Sequence, residues 1–449
     1  MSQTEQPKFD PSKPHLQKPR LRPVRGFAAQ SGQQPVLGLA DARQISEKVV
    51  FAAPAVQHIL PLMDGNKSLD EIVTAVGKGL TRGILEPLVA QLDDAALLFG
   101  PTFDALVAKM RVDFDSAATL PPATTAAFAD ALVDASHGGG QPATEEQRQE
   151  HGPTQLRQIM DQWITQVLSE TQNPSLDELP KAIVTPHLDY ARGWMNYAAV
   201  YGRLRVVDRP DRVVILGTNH FGESTGVCGC DKGYQTPLGT CDLDKPFFEA
   251  LCTNLGPEDS QKMLANRYDH EREHSIELQM PWIQHCLGAD DDGKFCPVFG
   301  ALIHDPCVNG GESYDGKGLS FDRFVAALKQ TIEQMPGKTL VVASADLSHA
   351  GPAFGDQVML GGDAPEATEA RNRIFQHDKE MVELYAACKV DEMISSMAWQ
   401  QNPTRWCSIG SLAAAMKVTG ATKSELYNYI ASMDERGTTL VSSVGMTLR

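Results

Sequence analysis

The chain reads as an α/β protein: a mixed, mostly parallel sheet flanked by helices, with a small helical domain ahead of it. Two observations carry this reading. Apolar runs recur in KAIVTPHLDY (181 to 190), VVILGTNHFGES (213 to 224), FCPVFGALIHD (295 to 305) and VVASADLSHAG (341 to 351). Each run is too short for an independent helix and lacks a polar face, as expected of strands covered on both sides. From about residue 176 onward, helix-spaced segments alternate with these runs, which is the signature of βαβ units.

The bulk properties bound the rest. A chain of 449 residues exceeds one ordinary core, and about one domain per 100–200 residues predicts two to four domains. With 42% hydrophobic and 22% charged residues the composition is that of a globular protein. A formal charge of −17 disfavours nucleic acid and anionic membrane surfaces as partners. There is no apolar run of about 18 residues and no charged-then-apolar leader, so the expected location is cytoplasmic, with no membrane association. Nine cysteines, odd in number and widely spread, predict reduced thiols. Cys228 and Cys230 stand closer than a zinc knuckle requires, and no second pair follows.

Along the chain, residues 1–35 are rich in Pro, Gln, Lys and Arg and predict a flexible tail. Residues 36–112 predict short amphipathic helices. Ser68 and Glu71 have capping-box spacing, Ile72 and Val76 share a face, and Gly77 can end the turn. A second helix runs through ILEPLVAQLDDAALL, with Pro87 near its start. The phrase LMDGNKSLDEI, followed by a helix and a short apolar end, resembles the small winged-helix, peptide-binding modules found beside peptide-modifying enzymes. Residues 113–150, rich in Ala, Thr and Pro and containing Gly138 to Gly140, predict a linker. The α/β domain then spans 151–449, opening with a helix over LRQIMDQWITQVL.

Three histidines follow strands directly: His187 in TPHLDY, His220 in GTNHFG and His349 in SADLSHAG. Ligands in open α/β sheets bind beyond the carboxyl ends of the strands, so these rings are expected to converge on one crevice. Two neutral imidazoles with one further donor make a metal site. In DHEREHSIELQMPW (269 to 282) a helix ending near Pro281 is expected, with His274, Glu273 and Glu277 on one face. The acids there are either dipole partners at a helix start or supports for metal-bound histidines. Asp346 is placed to orient His349 or to contact the metal, and a near-neutral His349 suits proton transfer.

Taken in order, PHLDY, ILGTNHFGES, YQTPLG, DHEREHSIELQMPW, VVASADLSHAG and LVSSVGMTL resemble the Memo family, the protein B component of the AmmeMemoRadiSam system, over about 270 residues. That family is similar in fold to class III extradiol dioxygenases, which hold iron(II) on two histidines and a glutamate with another histidine as acid/base. The resemblance implies His187 and His220 as metal ligands and His349 as the catalytic histidine, with Asp346 and His274 lining the site. The third ligand departs from the family, which places a cysteine in a Cys-Gly-Arg segment before Pro-Ile-Gly. This chain reads NPTRWCSIGS. Anchoring on Ile409-Gly410 puts Thr404 at the family cysteine and leaves Cys407 three residues later, either as a substitute ligand or as a buried cysteine.

Three functions are compatible with this pattern. The first is a dioxygenase-like oxidoreductase using Fe(II) on a small-molecule or peptide substrate. A thiolate donor makes Cu or Zn competitors, and zinc would support a hydrolase. The third is a non-catalytic module that binds peptides, in partnership with a radical enzyme.

Overall fold

The computed structural model describes residues 7–137 and 142–449; the expected glycine linker at Gly138–Gly140 lies outside the described residues. The chain divides into two compact units, Met1–Ala117 and Ala118–Arg449.

The first unit contains a three-stranded antiparallel sheet of β1 (Val24–Ser31), β2 (Gln34–Asp41) and β3 (Val50–Ala52), in that spatial order. Strand pairing therefore begins well inside residues 1–35, where a flexible tail is expected from composition. β1 offers little apolar alternation because most of its side chains are exposed. Gly32 turns the hairpin at φ +62°. The expected capping box is present: Ser68 accepts from the Glu71 amide and the Glu71 side chain accepts from the Ser68 amide, starting the helix Leu69–Val76. Leu69 and Ile72 from that helix join Leu85, Val89 and Leu92 from the helix Arg82–Asp94 in one core.

The second unit begins with β4 (Thr119–Leu120) and the helix Thr124–Ser136, so the expected linker over 113–150 is in part a helix. Its buried Thr125, Ala129 and Val133 recur every four residues on one face. After the helix Glu145–Leu168 come β5 (Ala182–Thr185), β6 (Arg212–Gly217), β7 (Cys228–Gly229), β8 (Gly233–Thr236), β9 (Gly239–Cys241), β10 (Val298–Leu302), β11 (Thr339–Ser344), β12 (Asp346–Ala350), β13 (Ser424–Met433) and β14 (Leu440–Leu448). The main sheet runs β12-β14-β5-β11-β6-β10-β7, with β13 on β14. Its centre, β5-β11-β6-β10, is parallel, and β14, β12, β13 and β7 join antiparallel.

The central strands are buried on both faces, as their continuous apolar runs predict. In β6, Val214 and Leu216 enter a cluster with Phe299, Phe324 and Leu412, while Val213 and Ile215, pointing the other way, are equally buried. Trp282 stacks on Tyr197 and on Tyr201 at centroid distances of 5.5 and 6.0 Å, joining the helices Tyr190–Tyr201 and Met280–Leu287. Pro281 stands in the first turn of the latter helix and does not end the preceding one. That is where proline's missing N–H costs nothing. The segment before it breaks into a 3-10 turn, Arg267–Arg272, and one α-turn, His274–Glu277. The parallel strands β5, β6 and β11 end at Thr185, Gly217 and Ser344, so the residues that follow gather along one sheet edge.

Candidate metal centre at the strand ends

Three imidazoles meet at this edge. Ring centroids lie 5.0 Å apart for His187 and His220, 5.7 Å for His187 and His274, and 4.8 Å for His220 and His274. Cys407 brings its sulfur to 3.3 Å from His187 Nε2. One ligand atom each from His187, His220 and Cys407 falls within 4.8 Å of the others. Zinc bonds of about 2.0–2.1 Å to nitrogen and 2.3 Å to sulfur, at a tetrahedral angle, set donors about 3.3–3.6 Å apart. The donor types suit a single ion, and the His187–Cys407 separation is close to that spacing.

Hydrogen bonding selects the nitrogen that each ring presents. Ser344 Oγ donates its one proton to the Ser275 carbonyl, so it can only accept from His187 Nδ1, 3.3 Å away. His187 Nε2 is thereby left as a lone pair facing Cys407. On His220, Nδ1 lies 3.0 Å from Glu273 Oε1, and the ring's other nitrogen is the one left for the sulfur. This is how metal-ligating histidines are oriented: one nitrogen bonded to an acceptor, the other presented to the ion. Glu273 also accepts from the His220 amide at 2.7 Å and the Ser275 amide at 2.8 Å, so one buried carboxylate fixes both backbone and ring. Gln279 ties the strand ends together. Its Nε2 donates to Pro186 O and to Ser344 Oγ at 2.6 and 2.9 Å, and its Oε1 accepts from Thr185 and Tyr201.

Burial, reinforced by the neighbouring His220, His274 and His349, pushes His187 well below the usual imidazole range. Burial opposes a proton on His220 as well, but the Glu273 carboxylate and the Cys407 sulfur outweigh it and raise that pKa well above the usual value. Glu273 itself is driven by burial upward and by His220 and His274 further downward, to about 2. A cation at the three donors would take the place of the proton on His220. Burial lifts Asp346 to about 7 and lowers His349 to about 4. Burial thus moves Asp346 up toward neutrality and moves His349, expected near neutrality from sequence, below it. Asp346 accepts from the His187 amide at 3.0 Å, and its second oxygen lies 3.5 Å from His187 Nε2. His349 stands in the adjoining wall, its Nδ1 3.0 Å from Leu347 O and its ring against Phe354.

The model of the family described as Memo-like protein matches residues 147–447. The chain belongs to the Memo-like family. A MEMO1 family protein of Methanopyrus kandleri is 28% identical over 293 residues, covering 64% of this chain and 89% of that protein. One of Saccharolobus islandicus is 32% identical over 172 residues, 38% of this chain and 53% of that protein. A third, of Nitrosopumilus maritimus, is 24% identical over 262 residues, 57% of this chain and 79% of that protein.

The loop before Ile409 turns the Thr404 hydroxyl to His377 Nδ1 at 3.0 Å and the Cys407 sulfur to His187. Arg405, between them, has a left-handed backbone at φ +57°. Glycine suits that conformation and arginine does not. Here the guanidinium holds it, donating from Nε to His349 O at 2.9 Å and pairing with Asp356 at 2.5 Å.

Glu277, expected beside His274 on one face, points elsewhere. Its carboxylate accepts from the amides of Ala123, Thr124 and Thr125 and from the Thr125 hydroxyl, capping the helix Thr124–Ser136. His304, the fourth strand-end histidine, bonds the carbonyls of Gly311 and Glu312 at 3.3 and 3.2 Å and is not among the clustered rings. Cys228 and Cys230 are buried free thiols. Gln279, Ser344 and Ser275 were not legible as site residues: polar residues in a helix or at a strand end carry no local signal of which ring they hold. Among the described residues no helix is long and apolar enough to cross a membrane.

Proposed function

We propose that this chain holds one transition-metal ion on His187, His220 and Cys407 and uses it for oxidative chemistry on a small organic or peptide substrate. The observation that carries the reading is the pair of imidazoles whose Nδ1 atoms are committed to Ser344 and Glu273 while their opposite edges converge with a cysteine sulfur. Iron(II) bound there would supply one-electron redox chemistry at its open positions. The chain's own residues do the rest. Glu273 and Ser344 orient the ligands, and Gln279 fixes the strand ends that carry them. Asp346, buried and titrating near neutrality, accepts or releases a proton beside His187, and His349 serves as a neutral base in the adjoining wall.

A second reading is favoured by the donor chemistry. A thiolate where extradiol enzymes have a carboxylate raises affinity for softer ions, so zinc or copper(I) competes with iron, and zinc would supply Lewis acidity for hydrolysis. Elemental analysis of the full chain purified without oxygen separates the two. Stoichiometric iron supports the oxidative reading, and stoichiometric zinc the hydrolytic one. The paired variant His187→Ala, His220→Ala loses the metal under both. Metal retained by that variant refutes the site, and a metal-free wild type that binds peptide makes the chain a recognition module, with a radical enzyme as its expected partner.

A further inference from the structure

Asp378, on the helix Pro365–Ala386, is fully buried and lies outside the cluster of metal donors. Its Oδ1 accepts from Trp406 Nε1 at 2.8 Å and Ser348 Oγ at 2.5 Å; its Oδ2 accepts from Tyr429 Oη at 2.6 Å and Ser442 Oγ at 2.5 Å. These four donors are neutral, and they come from β12, β13, β14 and the loop before Ile409. A buried carboxylate is costly unless hydrogen-bonded, so the four donors hold it and it holds them. Two of the four stand immediately before site residues: Trp406 precedes Cys407, and Ser348 precedes His349.

We propose that Asp378 is a positioning residue of the site: through Trp406 it sets where the Cys407 sulfur stands, and through Ser348 it fixes the strand presenting His349. The loop needs such an anchor. Gln401, Asn402 and Arg405 all have left-handed backbones, at φ 60°, 46° and 57°. Such conformations persist in non-glycine residues only where the surroundings over-determine them. Asn402 grips the Trp406 peptide from both sides, accepting from its N at 2.8 Å and donating to its O at 2.9 Å. The Trp406 backbone is thus held by Asn402 and its indole by Asp378, which fixes where the chain enters Cys407. Ser348 is gripped likewise, its amide donating to Ser442 Oγ at 3.0 Å. Metal–donor distances fall within about 0.2 Å of their standard values, so a loop free to shift weakens the bond to its sulfur. The role in metal binding rests on the proposed centre; the placement of the sulfur does not.

The test uses the full chain, with Trp406→Phe deleting only the indole N–H, Asp378→Ala deleting the acceptor, and Asp378→Asn as the conservative variant. Asparagine keeps an oxygen for Trp406 and Ser348, while the hydroxyls of Tyr429 and Ser442 can turn to accept from its amide. Two readouts are taken: cobalt(II) titration followed by the thiolate-to-cobalt charge-transfer band, and iodoacetamide alkylation of Cys407 in metal-free protein, located by peptide mass. Trp406→Phe and Asp378→Ala are expected to weaken cobalt binding about tenfold to a hundredfold with a diminished thiolate band. Both should alkylate faster at Cys407, and Asp378→Asn should stay near wild type on both measures. A folded Trp406→Phe whose alkylation rate is unchanged overturns the proposal, whatever its metal binding. If wild type binds no cobalt while Trp406→Phe still accelerates alkylation, the anchor stands and the metal centre falls.

Discussion

Glu277→Gln distinguishes a helix cap from a catalytic acid, and its size can be worked from the contacts. In the native chain Oε1 accepts from the amides of Ala123 and Thr125, both at 2.9 Å, and from the Thr125 hydroxyl at 2.6 Å, while Oε2 accepts from the Thr124 amide at 3.1 Å. A glutamine oxygen placed at Oε1 keeps three of these bonds but without the charge. Hydrogen bonds to charged groups contribute about 1.5–3 kcal/mol and neutral ones about 0.5–1.5, so about 1 kcal/mol is lost at each. The fourth bond is replaced by an amide N–H facing the Thr124 N–H, and the charge at the helix start, worth about 0.3–1 kcal/mol, disappears. Such terms do not add fully, and about 3 kcal/mol is expected. For a unit the size of Ala118–Arg449, at about 2.1 cal/mol/K of unfolding entropy per residue, that corresponds to a Tm lower by about 4 °C. Thermal melts of wild type and Glu277→Gln at one fixed scan rate give the comparison, with metal content determined on the same samples. Lower Tm with unchanged metal per folded protein is the expected result. Unchanged Tm with lost metal would refute the reasoning and return Glu277 to the site.

Four further outcomes follow from the geometry. Glu273→Gln removes the charged acceptor shared by the His220 ring and amide, and metal affinity, measured by competition with a chelator, should fall about tenfold to a hundredfold. Cys407→Ser should lose the thiolate-to-cobalt charge-transfer band while Thr404→Ala keeps it; a band that survives Cys407→Ser would mean that Cys407 is not the thiolate on the ion. Arg405→Gly relieves about 1–2 kcal/mol of left-handed backbone strain while losing a half-exposed guanidinium clamp, so its Tm should stay within about 2 °C of wild type. In Gly222→Ala the new methyl overlaps the Asp269 carboxylate, which accepts from Asn219, Glu223 and Ser224 and so shapes the loop carrying His220. That variant should lose about 2–3 kcal/mol of stability and bind metal poorly, as chelator competition and thermal melts would report.

The α/β core was legible because a strand buried on both faces must be apolar throughout, as Val213 to Leu216 and Leu340 to Ala343 are. The elements that escaped lack that simplicity. β1 and β2 form a hairpin whose outer strand is largely exposed, so the sequence Arg25-Gly26-Phe27-Ala28 carries no buried stripe. The helix Thr124–Ser136 does carry one in Thr125, Ala129 and Val133, but its start is set by Glu277, a residue far along the chain that no local window joins to it. Composition around Pro121 and Pro122 points to a linker, and the long-range cap prevails.

The site divides along the same line. His187 and His220 could be found because each follows a strand end directly, and β5 and β6, parallel to β11 on its two sides, end at the same margin of the sheet. Glu273 and Glu277 were indistinguishable by spacing; one holds a site histidine and the other a helix start, and only the fold decides which. The proposed third donor is the sharpest case. Counting back from Ile409-Gly410 leads to Thr404, next to Arg405 with its left-handed backbone. What the count misses is that side chains on either side of this turn face opposite ways: Thr404 toward His377, Cys407 toward His187. The bonds that set those directions run from Asp378 to Trp406, from Arg405 to the His349 carbonyl and from Arg405 to Asp356, each joining residues 28 to 56 positions apart. A cysteine three residues further along the sequence therefore reaches the strand ends, because what fixes its direction is the loop's attachment to the sheet and not a position counted from Ile409.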